Sequence, residues 1–469
     1  MGALAALQAQ VASELDRIEG LACDWLPARA PDSYDVVICG AGLAGLGVAF
    51  GLKRRGINNV LVIDQRPKGQ EGPWVTAARM KTLRSPKHLA SVDLGVPSLT
   101  LRAWYEATYG TAAWDALDKP AKEDWMRYLI WFRAVTGLHV ENDTTLVGLA
   151  PAPSGVRLEL ATPTGRKYVQ AGHVVMATGL VGSGAAWIPP EIAALPRDMY
   201  THSADICSDA GLAGRDVAVI GGATSAFDWS VTALERGARS VTHFARRAGF
   251  AATEGLAWMN FPGFLGHYAD LPDDHRWRYM HRYFTMGIPP TQDQYNRAAF
   301  DPRFHYHAGA GASHYSLTGS GRVRIENACG TFEVDQLLLG TGYTSDLSAR
   351  PELSSVAGLV KLWGDVYTPP AALGHRALAA HPYLGYDFEL LPHDPAQVWI
   401  SRIHMFNAAA MLSFGPVANG ITGAKYGIPM LVTALARQLF QENRDHFLAA
   451  YEAFNDVHFV PRSDGKDNA

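Results

Sequence analysis

The sequence is poor in cysteine, and its cysteines do not pair. Cys23, Cys39, Cys207 and Cys329 are its only four, and no two fall in a CxxC or CxxxxC spacing. That argues against a zinc site and against a redox-active disulfide; it predicts four small, buried apolar residues in a reducing compartment. Long apolar runs are missing as well, so no segment reads as a bilayer span. The first residues lack a basic stretch followed by an apolar one, so no secretory signal is read there, and the cytoplasm is the expected compartment. Neither sign of charge dominates. The 41 basic and 45 acidic residues, net −4, are spread along 469 positions with no basic tail or stripe, which speaks against a nucleic-acid partner. His305, His307 and His314 stand close together, but no carboxylate lies among them and the spacing fits no helical pair, so no metal is expected.

What is present is length and apolar content enough for two or three domains, with 48% hydrophobic residues. Leu4, Leu7, Val11, Leu15 and Ile18 recur at helical spacing and predict an amphipathic helix over residues 3–20, covering either the body or a neighbouring subunit. Val36-Val37-Ile38 then reads as a short buried strand running into Gly40-Ala41-Gly42-Leu43-Ala44-Gly45. In a strand–turn–helix setting, the first glycine permits the tight turn and the second lets a pyrophosphate approach the backbone. The third lets the helix pack on the strand, with its N-terminus toward the phosphates. Asp64, at the end of the next apolar strand and followed by Gln65, is placed for the ribose hydroxyls.

The pattern occurs twice. Residues 216–220 form a second apolar strand, and Gly221-Gly222-Ala223-Thr224-Ser225-Ala226 follows as a degenerate loop, with alanines where two glycines are usual. At the end of its partner strand, residues 240–244, stand Arg246 and Arg247 rather than an acidic residue. Arginine there suits a 2′-phosphate and favours NADPH over NADH; the alternative is a solvated turn. Two strand-into-Thr-Gly junctions, ending at Gly179 and at Gly342-Tyr343, complete the duplication. The expected fold class is α/β, with two dinucleotide-binding, Rossmann-like domains and the NADPH domain inserted into the FAD domain. Residues 1–30 are read as helix and linker, 31–198 and 330–469 as the FAD domain, and 199–329 as the NADPH domain. With a nicotinamide site, a flavin site and no cysteine pair, oxygen is the expected acceptor.

The two glycine loops, and Asp335 leading to Gly340-Thr341-Gly342-Tyr343, resemble class B flavoprotein monooxygenases over residues 33–440. Within that class, Thr82-Leu83-Arg84-Ser85-Pro86-Lys87 is similar to the "TLRDPR" segment of the siderophore-type N-hydroxylases, and residues 97–101 and 120–131 continue it. Asn260-Phe261-Pro262 with Leu271-Pro272 resembles their "FNP…LPDE" stretch, and Ser313-His314-Tyr315-Ser316 their "TNYS" loop with His314 in place of Asn. Gly72-Pro73-Trp74 and His202-Ser203 are closer to flavin-containing monooxygenases. Ala78, beside Arg79, stands where ornithine hydroxylases carry a substrate-binding Lys.

The resemblance implies an FAD- and NADPH-dependent monooxygenase that uses a C4a-(hydro)peroxyflavin to hydroxylate the primary amine of a small amino-acid-like metabolite, with oxygen as co-substrate and a dimer or tetramer as the assembly. Sulfur oxygenation or Baeyer–Villiger insertion is the alternative within oxygen chemistry. An NADPH–flavin oxidoreductase that does not use oxygen, or a redox sensor without turnover, lies outside it. No catalytic triad is expected, because the flavin carries the chemistry. Arg79 and Lys87, in a basic stretch that otherwise reads as a solvated loop, are expected at NADPH phosphates or a substrate carboxylate, and Asn260, His314 and Tyr315 at the substrate. Trp74 is expected against the flavin or as a core or lid aromatic. Gly420, opening an apolar helix, is expected at the flavin pyrimidine edge or in a plain interdomain turn.

Overall fold

The computed structural model describes residues 2–18, 23–89, 92–206 and 211–460; Cys207 lies outside them. The first sheet is built from β1 (Ser33–Cys39), β2 (Val60–Ile63), β3 (Thr145–Ala152), β4 (Gly155–Thr162) and β5 (Gly165–Met176). Its order is β2-β1-β5-β4-β3. β1 lies parallel to both neighbours, with Val37 opposite Leu61 and Val174, while β4 runs antiparallel to both β3 and β5. Residues 36–39 are all buried, which is why this strand reads as an unbroken apolar run rather than an alternation. The sequence shows two short strands at 167–170 and 173–176; the chain makes one, because Gly172 lets β5 continue where a side chain would strike Arg29 and the Asp35 carbonyl.

The second sheet takes β6 (Tyr200–His202), β7 (Asp216–Ile220), β8 (Ser240–Ala245) and β9 (Phe304–Ala308). A small antiparallel sheet follows, of β10 (His314–Leu317), β11 (Val323–Asn327) and β12 (Gly330–Val334). β13 (Gln336–Leu339) then enters the second sheet, whose order is β6-β13-β7-β8-β9, and β14 (Ile403–His404) returns to pair with β5. Every strand of the second sheet thus falls, in chain order, between β5 and β14 of the first.

Two stretches lie elsewhere than the sequence boundaries put them. β12 and β13, assigned from the sequence to the first unit, belong to the second; Leu337 of β13 sits opposite both Ala218 and Tyr200. The helices Gly255–Met259, Pro262–His267 and Asp273–Met286, assigned to the second unit, bury Met259, Phe264, Tyr268, Trp277 and Met280 in the large core that β1 and β5 share. Aromatic partners decide this. Trp277 packs 6.3 Å from Trp363, and its Nε1 donates to the Leu373 carbonyl at 2.9 Å.

The N-terminal helix, Ala3–Arg17, covers the body of the molecule. It buries Leu7, Val11 and Leu15, while Glu14 accepts hydrogen bonds from the Ser98 amide and hydroxyl at 3.0 and 2.7 Å. Cys39 is buried, with its thiol pushed up by burial; Cys329 is half-buried and Cys23 is exposed, so among the described cysteines the expectation of burial holds for Cys39 alone. Cys23 precedes β1 in the connecting segment, where the chain crosses the surface. Among the described residues no helix is long and apolar enough to cross a membrane.

Candidate functional site

Gly40 closes the turn after β1 with φ +106°, and a Cβ there would lie 2.4 Å from the Ala177 carbonyl oxygen of the neighbouring strand. A Cβ on Gly45 would lie 1.8 Å from the Gly40 carbonyl oxygen, so helix Leu43–Arg54 sits closer to its own turn than any side chain allows. Gly42 differs. Its Cβ would meet nothing nearer than the Gly72 Cα at 3.8 Å, and it caps the helix with no side-chain hydrogen bond. Two glycines thus face each other beside unsatisfied helix amides, which fits a diphosphate. Asp64 accepts from the Ala41 amide at 2.8 Å and the Arg66 amide at 2.8 Å; burial raises its pKa, and exposed Gln65 follows it. Against the same turn, buried Glu71 takes Arg133 and Asn142, both at 2.8 Å.

The second loop repeats the construction with one exchange. Gly221 has φ +144°, and a Cβ there would lie 2.4 Å from the Gly340 carbonyl oxygen. Ala226 holds the third glycine's place because the room comes from the neighbouring strand; a Cβ on Gly340 would sit 2.5 Å from the Ala226 amide nitrogen. Gly222 is exposed, Thr224 is buried and Ser225 half-buried at the start of helix Thr224–Glu235, which has no side-chain cap, so a second diphosphate fits here. Arg247 is turned away from the loop, donating to the carbonyls of Thr285 and Met286 at 2.6 Å each, at the end of helix Asp273–Met286. Arg246 stays exposed at the end of β8.

His243 braces this loop and was not singled out by sequence; an ionisable residue between Thr242 and Phe244 of a buried strand was its only signal. Its Nε2 bonds to the Gly221 carbonyl at 2.8 Å and its Nδ1 meets the Ser230 hydroxyl at 2.9 Å. Burial pushes His243 and His381 down to about 4 and His404 down to about 3. Each is neutral when folded at pH 7, whereas an unfolded histidine takes its proton near pH 6.5. The stabilisation is therefore complete above about pH 6.5 and is lost as the pH falls toward the folded values. Thermal scans are expected to show Tm falling from pH 6.5 to 4.5, with each histidine removing about 1.4 kcal/mol per pH unit. A His243→Asn variant should have the shallower slope; an unchanged slope counts against the assignment.

The two Thr-Gly junctions cross. The Thr344 amide donates to the Ala185 carbonyl and the Trp187 amide to the Gly342 carbonyl, both at 2.9 Å. Gly179 and Gly342 take φ of +69° and +89° to turn into this crossing. Asn407, also missed by sequence, ties it to the returning chain by donating to the Thr178 hydroxyl at 3.0 Å. Tyr343 stands edge-on to buried His202 at 5.5 Å.

The residues expected at the substrate are not gathered in one place. Arg79 lies with its guanidinium 3.5 Å over the Trp229 ring and donates to the carbonyls of Ala77, Ser203 and Asp205. Lys87 donates to the Trp114 and Asp115 carbonyls at 2.6 and 3.2 Å, at the end of helix Thr111–Ala116. His314 is exposed on β10 opposite Glu326, and half-buried Tyr315 packs on the apolar core between the small sheet and the second sheet. Asn260 ends helix Gly255–Met259 between exposed Trp258 and Phe261. Both aromatics touch Phe264, which with Tyr268 borders Gly415; a Cβ there would meet the two rings at 3.6 and 3.3 Å. That segment leads to Gly420, the N-cap, without a side-chain bond, of helix Ile421–Glu442. Trp74 is half-buried, its ring 6.0 Å from that of Trp125.

Residues 37–256 match the family model described as pyridine nucleotide-disulphide oxidoreductase, although the described cysteines are free. A FAD-dependent urate hydroxylase from Xanthomonas campestris pv. campestris is 40% identical over 467 residues, 97% of each chain. Among solved structures, a reduced ornithine hydroxylase from Pseudomonas aeruginosa matches 87% of this chain and 100% of its own, with a TM-score of 0.67 at 16% identity. The ornithine N-hydroxylase of Kutzneria sp. 744 matches 87% and 99%, with a TM-score of 0.65 at 16% identity. These two likenesses concern the fold. At 40% identity to the Xanthomonas enzyme over 97% of each chain, and with two glycine loops that each fit a dinucleotide, the chain belongs to the family of that FAD-dependent hydroxylase.

Proposed function

We propose that the chain hydroxylates a small planar heterocycle of the urate type, with FAD in the first glycine loop and NADPH in the second. The observation that carries this is the fate of the two cations an amino-acid carboxylate would need. Arg79 and Lys87 are already held by protein carbonyls and tryptophan faces. By contrast Asn260, with a paired donor and acceptor that match a lactam edge, stands between Trp258, 59% exposed, and Phe261, 43% exposed, whose flat faces suit a heteroaromatic ring. The urate hydroxylase relative supports the same reading.

When bound and reduced by NADPH, the flavin supplies the activation of oxygen. The chain's own residues hold and shield. Gly42 and Gly72 admit the first diphosphate, Asp64 faces its ribose, and Gly222 with the Thr224 amide receives the second. Arg246, rather than Arg247, meets the 2′-phosphate. The N-terminus of helix Ile421–Glu442, with Gly420 at its cap, favours negative charge on the flavin edge, and Trp74 closes the opposite side.

N-hydroxylation of a primary amine is the second reading, favoured by Asn260 and by the Thr82 to Lys87 segment. Urate, xanthine, ornithine, lysine and cadaverine, each assayed for coupled NADPH oxidation and for product, separate the two. Coupled turnover with urate is expected, and Asn260→Ala should lower its kcat/KM about 10- to 100-fold. Hydroxylamine product from an amine, with urate inert, would replace the first reading by the second.

A further inference from the structure

The basic stretch around residues 79–84 is partly exposed, yet its cations are committed to protein partners. It is a strap onto the second unit. Residues 78–84 are anchored in the first unit: Leu83 is buried and its amide donates to the Pro120 carbonyl at 2.8 Å, and Lys122 donates to the Ala78 carbonyl at 2.6 Å. From this anchored segment three cations reach helix Thr224–Glu235, the helix that starts at the second glycine loop. Arg79 covers the Trp229 ring, Arg84 pairs with Asp228 at 2.8 Å, and Lys81 pairs with Glu235 at 2.7 Å. Asp228 is held from behind as well, by the Gln294 side-chain amide. Its side chain is 11% exposed and that of Arg84 41%, whereas those of Lys81 and Glu235 are 61% and 45% exposed, so Arg84–Asp228 is the stronger of the two ion pairs.

We propose that Arg84 and Asp228 are positioning residues for hydride transfer: they lock the helix that carries NADPH to the loop beside the flavin and so fix the distance between the two reacting rings. In that step a hydride leaves the reduced nicotinamide for the oxidised flavin, giving NADP+ and two-electron-reduced flavin. The two nucleotides bind to separate units, so their mutual geometry depends on what joins those units. The crossed Thr-Gly junctions and the hold of Arg247 on the end of helix Asp273–Met286 are two such ties; the strap supplies another, on the helix that starts at the second glycine loop. A displacement of about 1 Å between reacting atoms costs on the order of 100-fold in rate.

This inference rests on the reading that NADPH occupies the second loop, and the test separates the two. Arg84→Met, Asp228→Asn, the double variant and the conservative Arg84→Lys are compared with wild type. FAD content, Tm, NADP+ affinity of the oxidised enzyme by titration, and NADPH-driven flavin reduction by stopped flow are measured. Hydrogen exchange in residues 224–235 is followed without nucleotide. The expected result is flavin reduction slowed about tenfold or more in each single variant. The double variant is then no worse than the poorer single, and Arg84→Lys recovers most of the rate. FAD content stays at wild-type level, NADP+ affinity changes less than about twofold, and helix 224–235 exchanges faster. Wild-type reduction rates in folded variants would overturn the strap, as would a parallel loss of rate, FAD and Tm in every variant, which marks a merely structural pair. Failure of wild type to bind NADP+ would instead overturn the nucleotide reading.

Discussion

Gly45→Ala is expected to yield a chain that retains little FAD and melts earlier, whereas Gly42→Ala is expected to lose FAD without melting earlier in its apo form. The two glycines lie three residues apart in one motif, yet they are constrained by different neighbours. A Cβ on Gly45 falls 1.8 Å from the Gly40 carbonyl oxygen and 2.9 Å from its carbon. Those atoms are backbone, so the helix must move away from the turn. Overpacking of this kind costs about 1–3 kcal/mol, and the displaced helix N-terminus no longer aims its amides at the diphosphate. At Gly42 the added carbon meets only Gly72, at 3.8 Å, which is ordinary contact. With FAD in this loop as proposed, it fills the space that the diphosphate needs. The flavin-to-protein absorbance ratio after desalting, and the Tm of both apo-proteins, check the pair. A loss of about 1 kcal/mol of binding, the low end of that range, is about a fivefold rise in Kd and is measurable. An apo Gly42→Ala chain that melts as early as Gly45→Ala would show that Gly42 is a packing glycine, not a binding one.

The second large effect is expected at Arg133. Its guanidinium donates to Glu71 at 2.8 Å, to the Asn142 side chain at 3.0 Å and to the Val140 carbonyl at 3.2 Å. Glu71 takes two further hydrogen bonds, from the Gly69 amide at 2.7 Å and from Asn142 at 2.8 Å. The side chains are only 13% and 4% exposed. Arg133→Met therefore leaves a buried carboxylate without its cation, and removing one partner of such a pair costs about 3–5 kcal/mol. The cost falls on the residues that border the first glycine loop, because Lys68, Gly69, Glu71 and Arg133 line one hollow with Ala41 of that loop. Lower Tm and lower FAD retention are expected together. Glu71→Gln combined with Arg133→Met removes the stranded charge and should regain part of the loss, since a neutral amide is far cheaper to bury. A double variant less stable than Arg133→Met would contradict this. So would a single variant whose Tm lies within about 1 °C of wild type.

The sequence determined the elements whose signals are local. Gly40, Gly42 and Gly45 after an unbroken apolar strand, with Asp64 on the next, mark a dinucleotide turn, because the constraints act within one strand–turn–helix unit. The repeat of that unit, and the repeated Thr-Gly junctions, carried the two-sheet α/β plan. Tertiary structure decided whatever depends on a distant neighbour. Ala226 is tolerated at the third glycine's place because Gly340, over a hundred residues on, yields the room. The helices between residues 255 and 286 join the first unit's core because their partners, Trp363 beside Trp277 and Gly415 against Phe264 and Tyr268, come from residues 363–415. Arg79, Lys81 and Arg84 carry the same charge in sequence whether they meet a phosphate, a carboxylate or water. Only the fold shows that they meet Trp229, Glu235 and Asp228, since the energy of a charge is set by its partner and its burial rather than by its identity.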